Sequence, residues 1–380
     1  MTREIGLISL PRRRGEGRNC ENTLAHLHQF RSKRFSDLGH FPFLTVSTVN
    51  PERHAANYIY RRGIYIDQAP TLDTASISIS TISTSIALLE SLTKAKQTQI
   101  IAMPATVKRF SATADPHEVY QYIKADGVVV IEGAATRESM DTVLEELGTV
   151  SGGQTFALAA KSATFAMKLL MNPLYIELVK RILTDTCIIY YEQERTVSTS
   201  EPQVSQTSIL TAQPGSAPWG LRRQDECHHI THPAKRETDF GIAYAATDIT
   251  KENGAIRVII GSNNWTDERD PTEEEEILIE LRKGDCILCL GSIYYGQTAN
   301  TTNQPSVLLS AFSTPGYRRQ EENQYLAVPW DVAEKYPTEV QRFLGYSVSR
   351  PYGGSVEHME PLDFLKVKGD WSKYIPVDLI

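Results

Sequence analysis

Asp115-Pro116-His117-Glu118-Val119-Tyr120-Gln121-Tyr122-Ile123-Lys124-Ala125-Asp126-Gly127-Val128-Val129-Val130-Ile131 reads as a helix, a turn and a strand in immediate succession. Asp115 is a natural N-cap, Pro116 suits the first helical position, and His117–Lys124 carries helical apolar spacing. Asp126-Gly127 breaks the helix and opens the apolar run Val128–Ile131. Working outward, Thr136-Arg137-Glu138-Ser139 starts a second helix that runs to about Leu147, and residues 164–183 look helical with a break at Asn172-Pro173. From about Cys187 to Phe312 the pattern changes to short apolar strands separated by turn signals. A few helices followed by many strands predict an α+β domain built on a jelly roll.

The 380 residues are 41% hydrophobic and 22% charged, ordinary values for a globular protein able to bury a core. No apolar run approaches the roughly 20 residues of a membrane span, and charges interrupt every short apolar stretch near Met1, so a cytoplasmic protein is expected. The sequons at Asn264 and Asn300 carry no weight without secretion. Five scattered cysteines, Cys20, Cys187, Cys227, Cys286 and Cys289, fit a reducing compartment. Cys286 and Cys289 form a CxxC, but within a strand residues three apart face opposite ways, so a structural reading is preferred to a metal or redox one. Charge divides the chain: residues 1–102 hold 13 Lys/Arg against 8 Asp/Glu, a net +5, and the remainder a net −12. The early stretch includes the Arg12-Arg13-Arg14 run, a strand-like patch over Thr74–Ile86 and a helical pattern over Ile86–Gln97. Residues 1–102 are therefore expected to be an N-terminal extension, disordered or a gene-model artefact, with a folded domain over 103–380.

Five segments in order carry a family resemblance. They are Ala125–Val130, Ala160–Phe165, Ala246-Thr247-Asp248-Ile249-Thr250-Lys251-Glu252-Asn253-Gly254-Ala255, Gly291-Ser292, and Arg319-Gln320-Glu321-Glu322-Asn323-Gln324-Tyr325-Leu326-Ala327-Val328-Pro329. Together they resemble the phytanoyl-CoA dioxygenase-like superfamily over roughly residues 115–350, in particular its fungal meroterpenoid-oxidising branch. The resemblance implies a double-stranded β-helix, cupin-like, with flanking helices. It also implies Fe(II) held by His-x-Asp and a distant His, with 2-oxoglutarate as co-substrate. Two ligands at i and i+2 share one face of a strand, and the two-His-one-carboxylate set leaves positions open for co-substrate and oxygen.

The residues at those positions are different ones. In Leu221-Arg222-Arg223-Gln224-Asp225-Glu226-Cys227-His228-His229, Arg222 stands where the family has His and Gln224 where it has Asp. After Gly291-Ser292, Tyr295 stands where the second His is expected. Arginine is a permanent cation without an acceptor, glutamine offers only a neutral oxygen, and a free phenol ionises near 10. The 2-oxoglutarate positions look eroded too, with Trp219 near the family's Gln, Ile256 for Thr, and Ser306 for the Arg that clamps the far carboxylate. No catalytic residue, bound metal or cofactor is expected in this chain.

Asp225, His228, His229 and His232, with Cys227 among them, form the only dense ligand cluster. On a strand His228 and His229 would face apart, so structural histidines are preferred to a relocated metal. Arg222 is expected to pair with Asp225 or another carboxylate and fill the vacated iron position. The Glu273–Glu276 run reads as a solvated loop, and Asp331–Leu344 as a packing or interface helix. The resemblance suggests a non-catalytic subunit of a heterodimeric dioxygenase in meroterpenoid biosynthesis. An intact homologue would supply Fe(II) and 2-oxoglutarate, and the pair would act on a terpenoid. The alternative is a metal-independent isomerase or cyclase, with Tyr295 as proton donor and Arg222 and Glu226 beside it.

Overall fold

The computed structural model describes residues 106–148, 153–367 and 370–373. The expectations for residues 1–102 lie outside the described residues. Helix α1, Pro116–Asp126, starts where the sequence places it: the Asp115 side chain accepts from the His117 amide at 3.0 Å. Gly127 ends it at φ 81°, a left-handed conformation. A side chain there would also meet Asn263 Oδ1 and Ile293 Cδ1 at 3.0 Å. Helix α2, Arg137–Leu147, is capped by the Thr136 side chain on the Ser139 amide. The short α3, Leu158–Lys161, leads through a π-helical turn, Phe165–Leu169, into α4, Pro173–Leu183, whose cap is Asn172. After the short α5, Gln324–Ala327, the helix expected over Asp331–Leu344 is instead two short pieces, α6 Trp330–Ala333 and α7 Thr338–Phe343, because Pro337 interrupts it; α8, Pro361–Val367, follows.

The strands are β1 Arg109–Ser111, β2 Val128–Glu132, β3 Gly153–Phe156, β4 Asp185–Tyr191, β5 Glu194–Ser200, β6 Pro202–Ala212, β7 Trp219–Arg222, β8 Phe240–Ala245, β9 Ile256–Val258, β10 Ile277–Ile279, β11 Cys286–Leu290, β12 Tyr295–Gln297 and β13 Ser306–Pro315. They form a seven-stranded sheet in the order β1-β2-β11-β8-β13-β6-β3, a four-stranded sheet β10-β9-β12-β7, and the separate hairpin β4–β5. From β6 to β13 the antiparallel pairs are nested: β6 with β13, β7 with β12, β8 with β11, β9 with β10. This is a mixed α+β architecture of two facing sheets with flanking helices.

Alternation along strands builds two cores. Val129 and Ile131 of β2 join the cluster under the helices, with Ile123, Tyr175 and Leu309, whereas Val128 and Val130 join the cluster that holds Ile256, Val258 and Leu308. The CxxC behaves the same way: Cys286 is in the first cluster and Cys289 in the second, both buried and free. Burial raises the Cys289 thiol to about 12 and the Cys286 thiol further still, so neither is a ready thiolate.

Candidate functional site

At the ladder between β7 and β12, Tyr295 is the register partner of Arg222. The chain then turns into a 3₁₀ segment, Gln224–His228, that carries Gln224 inward until it is 3% exposed. The three side chains meet. The Tyr295 hydroxyl donates to Gln224 Oε1 at 2.5 Å, and Arg222 Nη2 donates to the same oxygen at 3.4 Å and to the Tyr295 hydroxyl at 3.3 Å. Gln224 Nε2 donates in turn to Glu321 Oε2 at 2.5 Å and to Gln206 Oε1 at 3.3 Å. Burial pushes the Tyr295 phenol up to about 12, against the opposing pull of Arg222. It therefore stays a donor.

This cluster lines one end of a cavity of about 50 Å³ between the sheets, whose walls include Trp219, Ile256, Leu308, Phe312, Gln206 and Ser310. A space of that size holds at least a water, and its walls are mostly apolar. Trp219 and Ile256 line this cavity beside Arg222, Gln224 and Tyr295. Ser306 does not. It is buried outside that lining, with its hydroxyl on the Asn253 carbonyl at 2.6 Å at the tight Asn253-Gly254 turn. Gln206 and Glu321 were not singled out from sequence. Glu321 lies in the family segment Arg319–Pro329, and that location was its only signal.

Of the carboxylates open to Arg222, the one it meets is Glu226, at 3.5 Å, and not Asp225. Other expectations need correction. The Arg222 side chain is 45% exposed rather than buried. Asp225 is taken by His232 Nε2 at 3.1 Å, while His232 Nδ1 meets Asp267 Oδ1 at 2.8 Å. The deeply buried arginine is Arg223, which donates to Asp267 at 3.0 Å and to the carbonyls of Ser262 and Trp265. His228 and His229 are not on a strand: His228 ends the 3₁₀ segment and His229 caps it at φ 52°. The ligand cluster seen in the sequence therefore splits, and His228 lies 3.0 Å from Asp239, a residue the sequence reading passed over. Glu276 is not a solvated loop residue either, since it forms an ion pair with the largely buried Arg257.

Residues 123–306 match the phytanoyl-CoA dioxygenase (PhyH) family. Dioxygenase cnsJ of Penicillium expansum is 30% identical over 292 residues, covering 70% of this chain and 88% of that protein. The chain belongs to the phytanoyl-CoA dioxygenase family. Dioxygenase himG of Aspergillus japonicus is 29% identical over 68% of this chain and 89% of its own length. Dioxygenase peniF of Penicillium patulum is 30% identical over 55% and 70%. Among the described residues no helix is long and apolar enough to cross a membrane.

Membership in this family raises the question of Fe(II) and 2-oxoglutarate, and the donor set answers for the three matching positions. A guanidinium has no lone pair to give, the one Gln224 oxygen already accepts from Tyr295 and Arg222, and the phenol is held protonated. A ferrous ion with an open face needs imidazole and carboxylate donors. These residues do not fit it.

Proposed function

We propose that this chain is a non-catalytic member of the phytanoyl-CoA dioxygenase family that works as a subunit beside an intact homologue. The fold is read as a double-stranded β-helix, and the nested antiparallel pairing of β6 to β13 across two sheets supports that. One observation carries the functional reading. The three positions that would hold iron are occupied by Arg222, Gln224 and Tyr295, and these satisfy one another's hydrogen bonds. The partner supplies Fe(II) and 2-oxoglutarate, and the substrate class is a meroterpenoid or related terpenoid intermediate.

The hairpin β4–β5 supports a surface for the partner. Among the described residues it pairs with no other strand, and Ile188 and Val197 face each other across it, exposed 52% and 56%, next to Tyr190 at 66%. A two-stranded ribbon is marginal in water unless something packs on it, and exposed apolar side chains on one face mark where.

The test is anaerobic titration of Fe(II) and 2-oxoglutarate into the full chain, alone and mixed with an intact homologue. The readout is the metal-to-ligand charge-transfer band of the ferrous 2-oxoglutarate chelate. The expected result is no band from the chain alone, with a complex and enhanced turnover in the mixture. A stoichiometric band from the chain alone overturns the proposal. The second reading, a metal-independent acid–base isomerase, is favoured by the protonated Tyr295 next to the half-exposed Arg222. It requires terpenoid turnover by the chain alone, lost in Tyr295→Phe.

A further inference from the structure

Outside the occupied iron position, a second group of ligand-type side chains converges. Cys227 and His228 leave the 3₁₀ segment toward Asp239, which immediately precedes β8, and one donor atom from each lies within 4.8 Å of the others. His228 Nδ1 and Asp239 Oδ2 are 3.0 Å apart, yet outside hydrogen-bond geometry. Both imidazole nitrogens and both carboxylate oxygens are buried without a hydrogen-bond partner, and the two side chains are 7% and 1% exposed. Buried polar atoms left this way are costly; the close approach of His228 Nδ1 to Asp239 Oδ2 answers for one on each side chain, and the other two call for an occupant. Asp239 is rigidly placed: its carbonyl accepts from the Gly291 amide at 2.8 Å, and its Cβ packs where a Gly291 side chain would stand.

We infer that Cys227, His228 and Asp239 bind one divalent transition-metal ion of the zinc class, tying the 3₁₀ segment to the start of β8. Thiolate, imidazole and carboxylate are the borderline donors such ions take. Metal–ligand distances of about 2.0–2.3 Å put tetrahedral ligand atoms about 3.3–3.8 Å apart, so the observed spacing closes with a side-chain rotation of about 1 Å. Three protein donors leave a fourth position for water. The site is independent of the subunit reading, and repeating that reading's titration with Cys227→Ser separates a band arising here from one arising at Arg222, Gln224 and Tyr295.

The experiment uses the full chain in two parts. Thiol alkylation followed by peptide mapping is run with and without one equivalent of Zn(II). Cys187, also exposed, serves as the internal control. Zinc slows Cys227 modification at least tenfold and leaves Cys187 unchanged. Anaerobic Co(II) titration then gives tetrahedral d–d bands and a thiolate charge-transfer band saturating at one equivalent. The charge-transfer band is lost in Cys227→Ser, and affinity falls at least tenfold in Asp239→Asn. Equal alkylation of Cys227 with and without zinc, or a Co(II) spectrum unchanged by Cys227→Ser, overturns the inference and leaves His228–Asp239 as a plain buried ion pair.

Discussion

Replacing Gln224 by Glu tests the wiring of the Arg222, Gln224 and Tyr295 cluster with a single atom. The change keeps an acceptor for the Tyr295 hydroxyl and for Arg222, but turns the donor facing Glu321 Oε2, 2.5 Å away, into a second carboxylate oxygen. Two unit charges at that distance repel by about 7 kcal/mol at an effective dielectric near 20. The pair escapes by taking up a shared proton, and at about pH 7.5 holding a proton on a carboxyl that ordinarily ionises near 4.5 costs about 4 kcal/mol. Glu321 is exposed on its other side, so screening brings the expected destabilisation to about 1–3 kcal/mol. The folded pKa of the pair lies above its unfolded value, so stability is intact below about pH 4.5 and is lost as pH rises toward the folded value. Urea denaturation of wild type, Gln224→Glu and Gln224→Leu at about pH 5 and about pH 7.5 reads this out. The Glu variant is expected to approach wild type at the lower pH, whereas the Leu variant, which leaves Tyr295, Glu321 and Gln206 without a partner, is equally destabilised at both. A Glu variant with the same deficit at both pH values refutes the placement of the Gln224 amide nitrogen against Glu321.

Three further outcomes follow from the same geometry. Burial and its acidic neighbours Asp225 and Asp239 hold the Glu237 carboxyl up at about 7, against the Ser292 hydroxyl and His232. This raised carboxyl loses stability as pH climbs from about 4.5 through 7, so Glu237→Gln should gain about 1–2 kcal/mol above pH 7 and nothing near pH 4, measured by denaturant melts. The triple variant Arg222→His, Gln224→Asp, Tyr295→His rebuilds the facial donor set across β7 and β12. It should bind Fe(II) at least tenfold more tightly than wild type; no gain in iron affinity would show these are not the metal positions. Ile188→Ser with Val197→Ser should weaken association with an intact homologue at least tenfold by analytical ultracentrifugation, yet change the melting free energy by under about 1 kcal/mol, since a cross-strand pair is worth no more.

Local chemistry made part of this molecule readable. Asp115, Gly127, Thr136 and Asn172 each act within a few residues of themselves, and the helices they bound appear where their capping chemistry puts them. The trio Arg222, Gln224 and Tyr295 was legible because the family segments supplied a register. What failed to show is long-range. Glu321 reaches Gln224 across 97 residues, and Asp239 meets His228 only because the 3₁₀ segment turns the imidazole away from the direction a strand would give it. Arg222 and Arg223 are neighbours in sequence, and nothing in their spacing says that the second is the buried one; the partner Asp267, supplied from a distant loop, decides it. The short strand β1 escaped notice for the same reason, as its pairing with β2 is parallel and carries no turn signature.

The contrast between the two polar centres bears on why the fold would keep either. A site that merely decayed would leave stranded donors and acceptors, because each ligand would be lost without regard to the others. At Arg222, Gln224 and Tyr295 none is stranded: every polar side-chain group there has a partner, and the register of β7 on β12 brings those partners together. Removing one member orphans the rest, so the trio stands or falls as a unit. A few residues along the same segment the situation reverses, and His228 and Asp239 hold four buried polar atoms without hydrogen bonds. Desolvation penalises that arrangement unless an ion compensates it. The saturated centre thus spends its donors and acceptors on itself, whereas the unsaturated one beside it carries the metal site inferred above.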